Sequence, residues 1–330
     1  MPLKARARTA GKATSIDIAQ LAGVSQPTVS RALRGSPMVS AGTRERIETI
    51  ARQLHYAVDR NASNLRMRRS NTLALLIFED PTPDDSLINP FFHSMFGSIT
   101  RACAERRYDL LISFQPRRGS PQTGDEYARK ADGIILLGYG DYHEYRLRLQ
   151  MLAAQGAHFV RWGQVLQGQP GLSVGCDNFQ GGGDAARHLI ASGRRTIAFL
   201  GHASSHYPEF LERYRGYAAA GQLLGGGRRF DAIVAASDLI AIGALRALQE
   251  RRIDVPSEVA VVGFDDIPAA SLASPALTTV VQDTRLAGEV LVDTLLNLIR
   301  GEPAADRILP TRLAVRRSCG AAHAGAAAPG

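Results

Sequence analysis

Gln26, Thr28, Ser30, Arg31 and Arg34 are interleaved with the apolar residues Val29, Ala32 and Leu33. At that spacing their amide, hydroxyl and guanidinium groups share the outward face of a helix. None of them is suited to proton abstraction or nucleophilic attack. Their chemistry is recognition: hydrogen bonds to base edges in the major groove and charge-assisted bonds to phosphates. Other candidate chemistry is weaker. Gly138-Tyr-Gly140 follows the apolar run Gly133–Leu137, but a dinucleotide-binding turn requires a third glycine at 143, where His143 stands. His206 and Glu209 in His-Tyr-Pro-Glu could be a metal pair, yet no second histidine lies nearby at ligand spacing, which favours a polar cleft loop.

The outward groups need a rigid carrier. Thr14 or Ser15 can cap a first helix whose Ile18, Ala19, Leu21 and Ala22 form an apolar stripe, and Gly23 breaks it. Ser25 can cap a second helix with Pro27 in its first turn, where a missing N–H has no intrahelical partner to lose. Ser40 can cap a third, with Ile47, Ile50, Ala51 and Leu54 at helical spacing. The first two helices suit a helix-turn-helix that presents its second helix to DNA. An ordinary helical hairpin with a solvated face is the alternative. Charge weighs against that alternative: residues 1–70 carry 13 Lys+Arg against 4 Asp+Glu, a net of +9, while the other 260 residues carry 26 against 27. Such a basic module on a near-neutral body fits phosphate neutralisation with strong salt dependence. Lys4, Arg6, Arg8 and Lys12 lie in a stretch expected to be a disordered tail, which serves either solubility or DNA contact. The segment 59–69 is polar and basic around Leu65, and a helix capped by Asp59 would be too short to stand alone. DNA and a second copy of itself would support it.

The chain's 330 residues suggest two or three folded units, and 45% apolar content is ordinary for substantial cores. No apolar run approaches the roughly 20 residues a membrane span needs, so a cytoplasmic protein without membrane contact is expected. Cys103 and Cys176 read as core residues and Cys319 as incidental in the tail, with neither a disulfide nor a metal set. From Thr72 to Val281, nine apolar β-type runs alternate with helix-compatible stretches such as 95–106, 183–192 and 239–251. That alternation predicts an α/β domain of two doubly wound parallel-sheet subdomains behind the small all-α head, with a ligand cleft at the carboxyl ends of the strands.

The pattern I-D-I-A-x-x-A-G-V-S-x-x-T-V-S-R-A-L, followed by V-S-x-x-T-R-E-R-I, L-H-Y and A-x-x-L, resembles the LacI/GalR family of bacterial transcription regulators over most of residues 13–319. The resemblance implies DNA contacts at Thr14, Gln26, Pro27, Thr28, Ser30, Arg31 and Arg34, phosphate contacts at Ser40 and Thr43, and a minor-groove wedge at Leu65. Val58 and Asp59 depart from the family's common proline and neutral phosphate donor. In a periplasmic-binding-protein-like body, the resemblance and strand position together point to effector contacts at Phe91, Phe92, Arg161, Trp162, Ser237, Asp265, Gln282 and Thr284. Phe91 and Phe92 could equally be hydrophobic anchors at a helix start, and Trp162 could equally fill the hinge. The implied ligand is a small polyhydroxylated, sugar-like effector, and no cofactor is implied.

Two departures bear on that cleft. The resemblance puts the family's effector-binding arginine five residues before Gly216, where Leu211 stands. Between Arg215 and Phe230, roughly forty residues of the family pattern, including an edge strand and most of a helix, have no counterpart. That loss implies a fused helix over 208–224, carried by a right-handed crossover onto the other face of the C-terminal sheet, and an under-covered face there. Residues 115–130 should hold at most a short helix. The organisation expected is a basic disordered tail over 1–12, a helix-turn-helix domain over 13–58, a hinge helix and linker over 59–70, an effector-binding and dimerisation domain over 71–319, and a disordered tail over 320–330. Within the large domain the N-subdomain spans about 71–176 plus return segments and the C-subdomain about 177–319. The function implied is an operator-binding regulator, a repressor acting as a homodimer, with no enzymatic role. A regulator whose shortened C-subdomain no longer answers a ligand is the first alternative, and a soluble sugar-binding protein or enzyme is a remote one.

Overall fold

Thr14 opens the first helix with a capping box: its Oγ1 accepts from the Asp17 N–H at 3.3 Å, and the Asp17 carboxylate accepts from the Thr14 N–H at 2.8 Å. Helix α1 (Ser15–Ala22) then ends at Gly23, whose φ of 63° is the left-handed conformation that releases a helix C-terminus. Ser25 Oγ accepts from the Thr28 N–H at the start of α2 (Gln26–Leu33), and Ser40 Oγ from the Thr43 N–H at the start of α3 (Ala41–Gln53). Ile18, Ala19, Ala22, Val29, Ala32, Val39, Ile47 and Ala51 close one small core. Leu21 does not join it and is 63% exposed, because three short helices enclose only the side of α1 that carries Ile18, Ala19 and Ala22. The computed structural model describes residues 13–33, 35–54, 56, 70–78, 89–115, 127, 129–138, 141–221 and 230–320. The chain divides into two compact units, 1–68 and 69–330. Arg34, the hinge with Asp59 and Leu65, both tails, and most of the 115–130 stretch lie outside the described residues.

In the second unit the expected strands all form, with ends shifted by at most two residues. They are β1 (Thr72–Phe78), β2 (Asp109–Gln115), β3 (Gly133–Leu137), β4 (Phe159–Trp162), β5 (Leu172–Cys176), β6 (Ile197–Leu200), β7 (Ala232–Ala235), β8 (Ala260–Asp265) and β9 (Thr278–Gln282). Two short strands, β10 (Arg307–Leu309) and β11 (Thr311–Ala314), were not expected. Their three and four residues are too short to show a period in sequence. Between the strands run α4 (Pro90–Glu105), α5 (Tyr142–Ala154), α6 (Asn178–Ala191), α7 (Pro208–Gly221), α8 (Asp238–Glu250), α9 (Pro268–Leu272) and α10 (Thr284–Arg300).

The strands sort into two sheets, β10-β5-β4-β3-β1-β2 and β11-β9-β8-β7-β6, parallel throughout except for the β11/β9 pair. The chain passes between the sheets three times, after β5, after β9 and between β10 and β11, which places residues 177–178, 283–284 and 310 at the hinge. In the first sheet, α5 covers one face through Leu149 and Leu152 against Ala74, Leu76, Ile134 and Leu136. Helices α4 and α10 cover the other through Met95, Ile99, Leu291 and Leu295.

In the second sheet the side of each helix follows from strand alternation. A Cβ on Gly181 of α6 would meet the Phe264 ring, whereas a Cβ on the adjacent Gly263 would meet Asp238 and Ala241 of α8. Helices α6 and α8 therefore lie on opposite faces. Helix α7 lies with α6: a Cβ on Gly216 would fall 1.8 Å from the Phe179 carbonyl oxygen, and one on Gly182 would fall 2.0 Å from that of Arg213. This corrects the expectation that α7 crosses to the other face. The crossovers β6-α7-β7 and β7-α8-β8 step the same way across the sheet yet use opposite faces, so they have opposite hands. A glycine-lined contact that lets two helix backbones touch, together with the buried Arg213, outweighs the usual right-handed preference. Strand β6 ends the sheet, half-buried rather than enclosed, with Leu200 43% exposed.

Cys319 is also corrected. It is fully buried in a closing 3-10 helix (Arg317–Cys319), with Sγ 3.2 Å from His188 Nε2 and accepting from Thr278 Oγ1 at 3.1 Å. The neighbouring Ser318 hydroxyl donates to the Val261 carbonyl at 2.6 Å, so this segment completes the core rather than starting a tail.

Candidate functional site

On the head, Val29 and Ala32 are buried and thereby fix which way α2 turns. Gln26, Pro27 and Arg31 are exposed, and Thr28 and Ser30 are half-buried beside them. Gln26 Nε2 donates to Ser15 Oγ at 2.9 Å, which ties the start of α2 to the start of α1. Thr28 Oγ1 lies 2.8 Å from Ser25 Oγ, and Ser40 Oγ donates to Thr43 Oγ1 at 2.9 Å. The hydroxyls of Thr14, Ser40 and Thr43 thus sit at helix N-termini, where unpaired backbone N–H groups favour an anion.

In the second unit Phe91, Asp265, Gln282 and Thr284 line one cavity of about 230 Å³ at the hinge, together with Ser94, Asp266, Arg285 and Arg312. Trp162 is buried with its ring centroid 6.0 Å from that of Phe91, which places it behind the aromatic wall. Three other expected residues do not line this cavity. Phe92 is buried in the core of α4, Ser237 caps α8 by accepting from the Ile240 N–H, and Arg161 is buried at the exit of β4.

Sequence reasoning missed Arg213. Three residues before Gly216 rather than five, it is 1% exposed, with Nη1 3.4 Å from Asp265 Oδ1. Its Nε donates to Asn178 Oδ1 at 2.8 Å and its Nη1 to the Ala236 carbonyl, while the guanidinium lies 3.8 Å from the Phe264 ring centroid. Asp265 in turn accepts from Gln282 Nε2 at 2.6 Å. A buried arginine of α7 therefore lies beside Asp265, while Leu211 is only half-buried. The available signal was a helical period that brings two charged residues, Glu209 and Arg213, onto the same face as Gly216, and all three are buried.

Asp265 occupies φ 117°, a conformation rarely adopted by L-residues, at the carboxyl end of β8. Behind it, Asp238 is fully buried and accepts from Thr279 Oγ1 and from the Ile267 N–H at 2.8 Å. Burial and the nearby Asp265 charge push the Asp238 carboxyl up to about 8, against the lowering effect of those hydrogen bonds. Burial likewise pushes the Cys176 thiol up to about 12, which leaves it unreactive.

A second charged group sits at the exit of β4. Arg161 donates to the Gln164 carbonyl and to Gln169 Oε1 at 2.6 Å, and lies 5.3 Å from the Tyr142 ring centroid. Gly163, at φ 157°, leaves the room this group needs: a Cβ there would fall 2.5 Å from Arg161 Nη1 and 2.7 Å from Glu209 Oε1. Glu209 comes from α7 of the other sheet, and its carboxylate accepts from the Gln164 N–H at 2.8 Å. Among the described residues there is no helix long and apolar enough to cross a membrane and no metal-ligating cluster of three or more His, Cys, Asp or Glu.

Comparison with known proteins places both units. Residues 16–59 match the family described as bacterial regulatory proteins, lacI family, and residues 186–319 match a periplasmic binding protein-like domain. The chain is 32% identical to the HTH-type transcriptional regulator CelR of Thermobifida fusca, over 91% of this chain and 96% of that protein. It is 28% identical to the ribose operon repressor of Escherichia coli (strain K12), over 87% and 93% respectively. The CelR alignment runs over 340 positions while 91% of 330 residues is roughly 300, so about 40 aligned positions have no residue in this chain. Among solved structures, a CelR–cellobiose complex matches with a TM-score of 0.67 at 30% identity, covering 93% of this chain and 99% of that one. The lac repressor dimer bound to operator and the anti-inducer ONPF matches with a TM-score of 0.78 at 25% identity, covering 94% and 100%.

Proposed function

The chain belongs to the lacI family of bacterial regulatory proteins, and from that premise we propose that it is a repressor that binds a pseudo-palindromic operator as a homodimer and responds to a sugar-like effector held between its two sheets. Its function as a DNA-binding transcription regulator is common to its relatives. Gln26, Pro27, Thr28, Ser30, Arg31 and Arg34 read the major groove, Thr14, Ser40 and Thr43 hold phosphates, and Leu65 wedges the minor groove. The exposed edge strand β2, with Ile112 42% and Phe114 56% exposed, supports pairing of two copies.

The observation that carries the effector reading is the Arg213–Asp265–Gln282 cluster beside a cavity walled by Phe91. Fixed donors and acceptors next to an aromatic face suit a polyhydroxylated ring, whose hydroxyls take over hydrogen bonds that the protein groups now make with one another. The cluster also disfavours the reading of a degenerate cleft, since a buried cation is retained where a lost site would tolerate an apolar residue. Effector binding shifts the relative population of two arrangements of the sheets, and the hinge segments pass that shift to the DNA-binding head with a coupling of about 1–3 kcal/mol.

Fluorescence anisotropy on an operator selected from random DNA, with and without a panel of mono- and disaccharides, tests this. Arg31→Ala should weaken operator binding about ten- to a hundredfold and relax base preference, with binding to random DNA little changed. Calorimetric heat with at least one sugar, abolished by Asp265→Ala, is expected; operator affinity unmoved by Arg31→Ala would overturn the DNA assignment, and no heat with any sugar would overturn the effector class.

A further inference from the structure

The loop before α7 bridges the two sheets at the mouth of the cleft. His206 Nδ1 lies 2.7 Å from Asp141 Oδ2, the Tyr142 N–H donates to the His206 carbonyl at 2.9 Å, and His143 Nε2 lies 3.4 Å from Ser205 Oγ, with the two imidazole centroids 4.7 Å apart. Asp141, Tyr142 and His143 belong to the start of α5 on the first sheet, whereas Ser205 and His206 follow β6 of the second. One turn further on, Glu209 reaches the Gln164 N–H on the first sheet, as described above. These bonds come from one short stretch, 205–209, and end on two separate loops of the opposite sheet.

We propose that residues 205–209 form a latch that closes the cleft in the absence of ligand, with His206 as its outer contact and Glu209 as its inner one. The two contacts flank the start of α7, the helix that carries Arg213 to Asp265. Release of the latch therefore moves the mouth of the cleft and the cluster behind it together. Glycine packing of α7 on α6 gives the helix a firm base from which to hold the opposite sheet. Gly163 has a specific part here, because any side chain there would displace Glu209 and Arg161 from the inner contact. The role of the latch in effector entry rests on the effector reading above, but its existence does not.

Two backbone amides report on the latch directly, since Tyr142 and Gln164 each donate across the cleft. Amide hydrogen exchange on the full ligand-free chain should show the effects crossing over. His206→Ala, which leaves the Gln164 bond chemically intact, should speed exchange at Gln164 about tenfold. Glu209→Ala, which removes the acceptor of the Gln164 N–H but leaves the Tyr142 bond intact, should speed exchange at Tyr142 by a similar factor. Amides of β1 and β3 serve as the folding control and should not change. If each substitution alters only its own contact, the latch does not exist as a unit and the proposal is overturned. No sugar is needed for this measurement, so its failure is distinct from a failure to find an effector.

Discussion

The head and the cleft position functional groups in opposite ways. On α2 the described groups proposed to touch DNA, Gln26, Pro27, Thr28, Ser30 and Arg31, are exposed or half-buried, and the buried Val29 and Ala32 fix their direction. In the cleft the groups proposed to meet the effector are themselves buried: Arg213, Asp265 and Gln282 are all within 3% of full burial, and Asp265 bridges the other two. A surface reader can change one outward residue at small cost to folding. A buried reader cannot, because each member satisfies another and removal of one leaves a desolvated group behind.

Arg213→Ala tests that contrast most severely. It strips Asp265 of a cation in a site with almost no access to water, and a loss of about 3–5 kcal/mol in unfolding free energy is expected from urea titration. The double substitution Arg213→Ala with Asp265→Asn should be less destabilising than Arg213→Ala alone, since no unpaired charge remains. Equal losses for the single and double variants would mean that packing of the arginine stem, rather than its charge, holds the site.

The same contrast explains what could be read from the sequence. Polar groups outside and apolar groups inside at a helical period made α2 legible, and the strands of the body announced themselves as apolar runs. Helix α7 breaks that rule: its inward positions are Pro208, Glu209, Arg213 and Gly216, so a hydrophobic pattern points to the wrong side. Leu211 stands at the counted position, whereas the buried arginine of α7 is Arg213. The side of the sheet taken by α7 was illegible for a related reason. Crossover handedness is a general preference, and here it yields to contacts between glycines whose importance only the assembled α6–α7 pair reveals.

Asp238 sharpens the comparison through pH. Its carboxyl is raised from 3.8 to about 8 in the folded chain, so the folded state binds more protons than the unfolded state between those values. Its contribution to stability is therefore greatest below about pH 4, declines as pH rises towards about 8 and is level above that. Asp238→Asn should flatten the decline between pH 5 and 8 in urea titrations. A decline of unchanged slope would place its origin elsewhere in the cluster. Arg31→Ala, whose side chain lies on the exposed face of α2, should leave this pH profile untouched.

The smallest effect expected is on the head's own stability. Ser40→Ala removes the hydroxyl that accepts from the Thr43 N–H at the start of α3 and should cost about 0.5–2 kcal/mol. Where that loss is read matters more than its size. The chain's single tryptophan, Trp162, is buried in the second unit, so its fluorescence follows unfolding of the body, whereas exchange at Val29 and Ile47 amides follows the head. Faster exchange in the head with an unmoved Trp162 transition is the expected result. A Trp162 transition shifted by the same free energy would mean that the two units unfold together, and the head's stability would then be set by the body rather than by its own three-helix core.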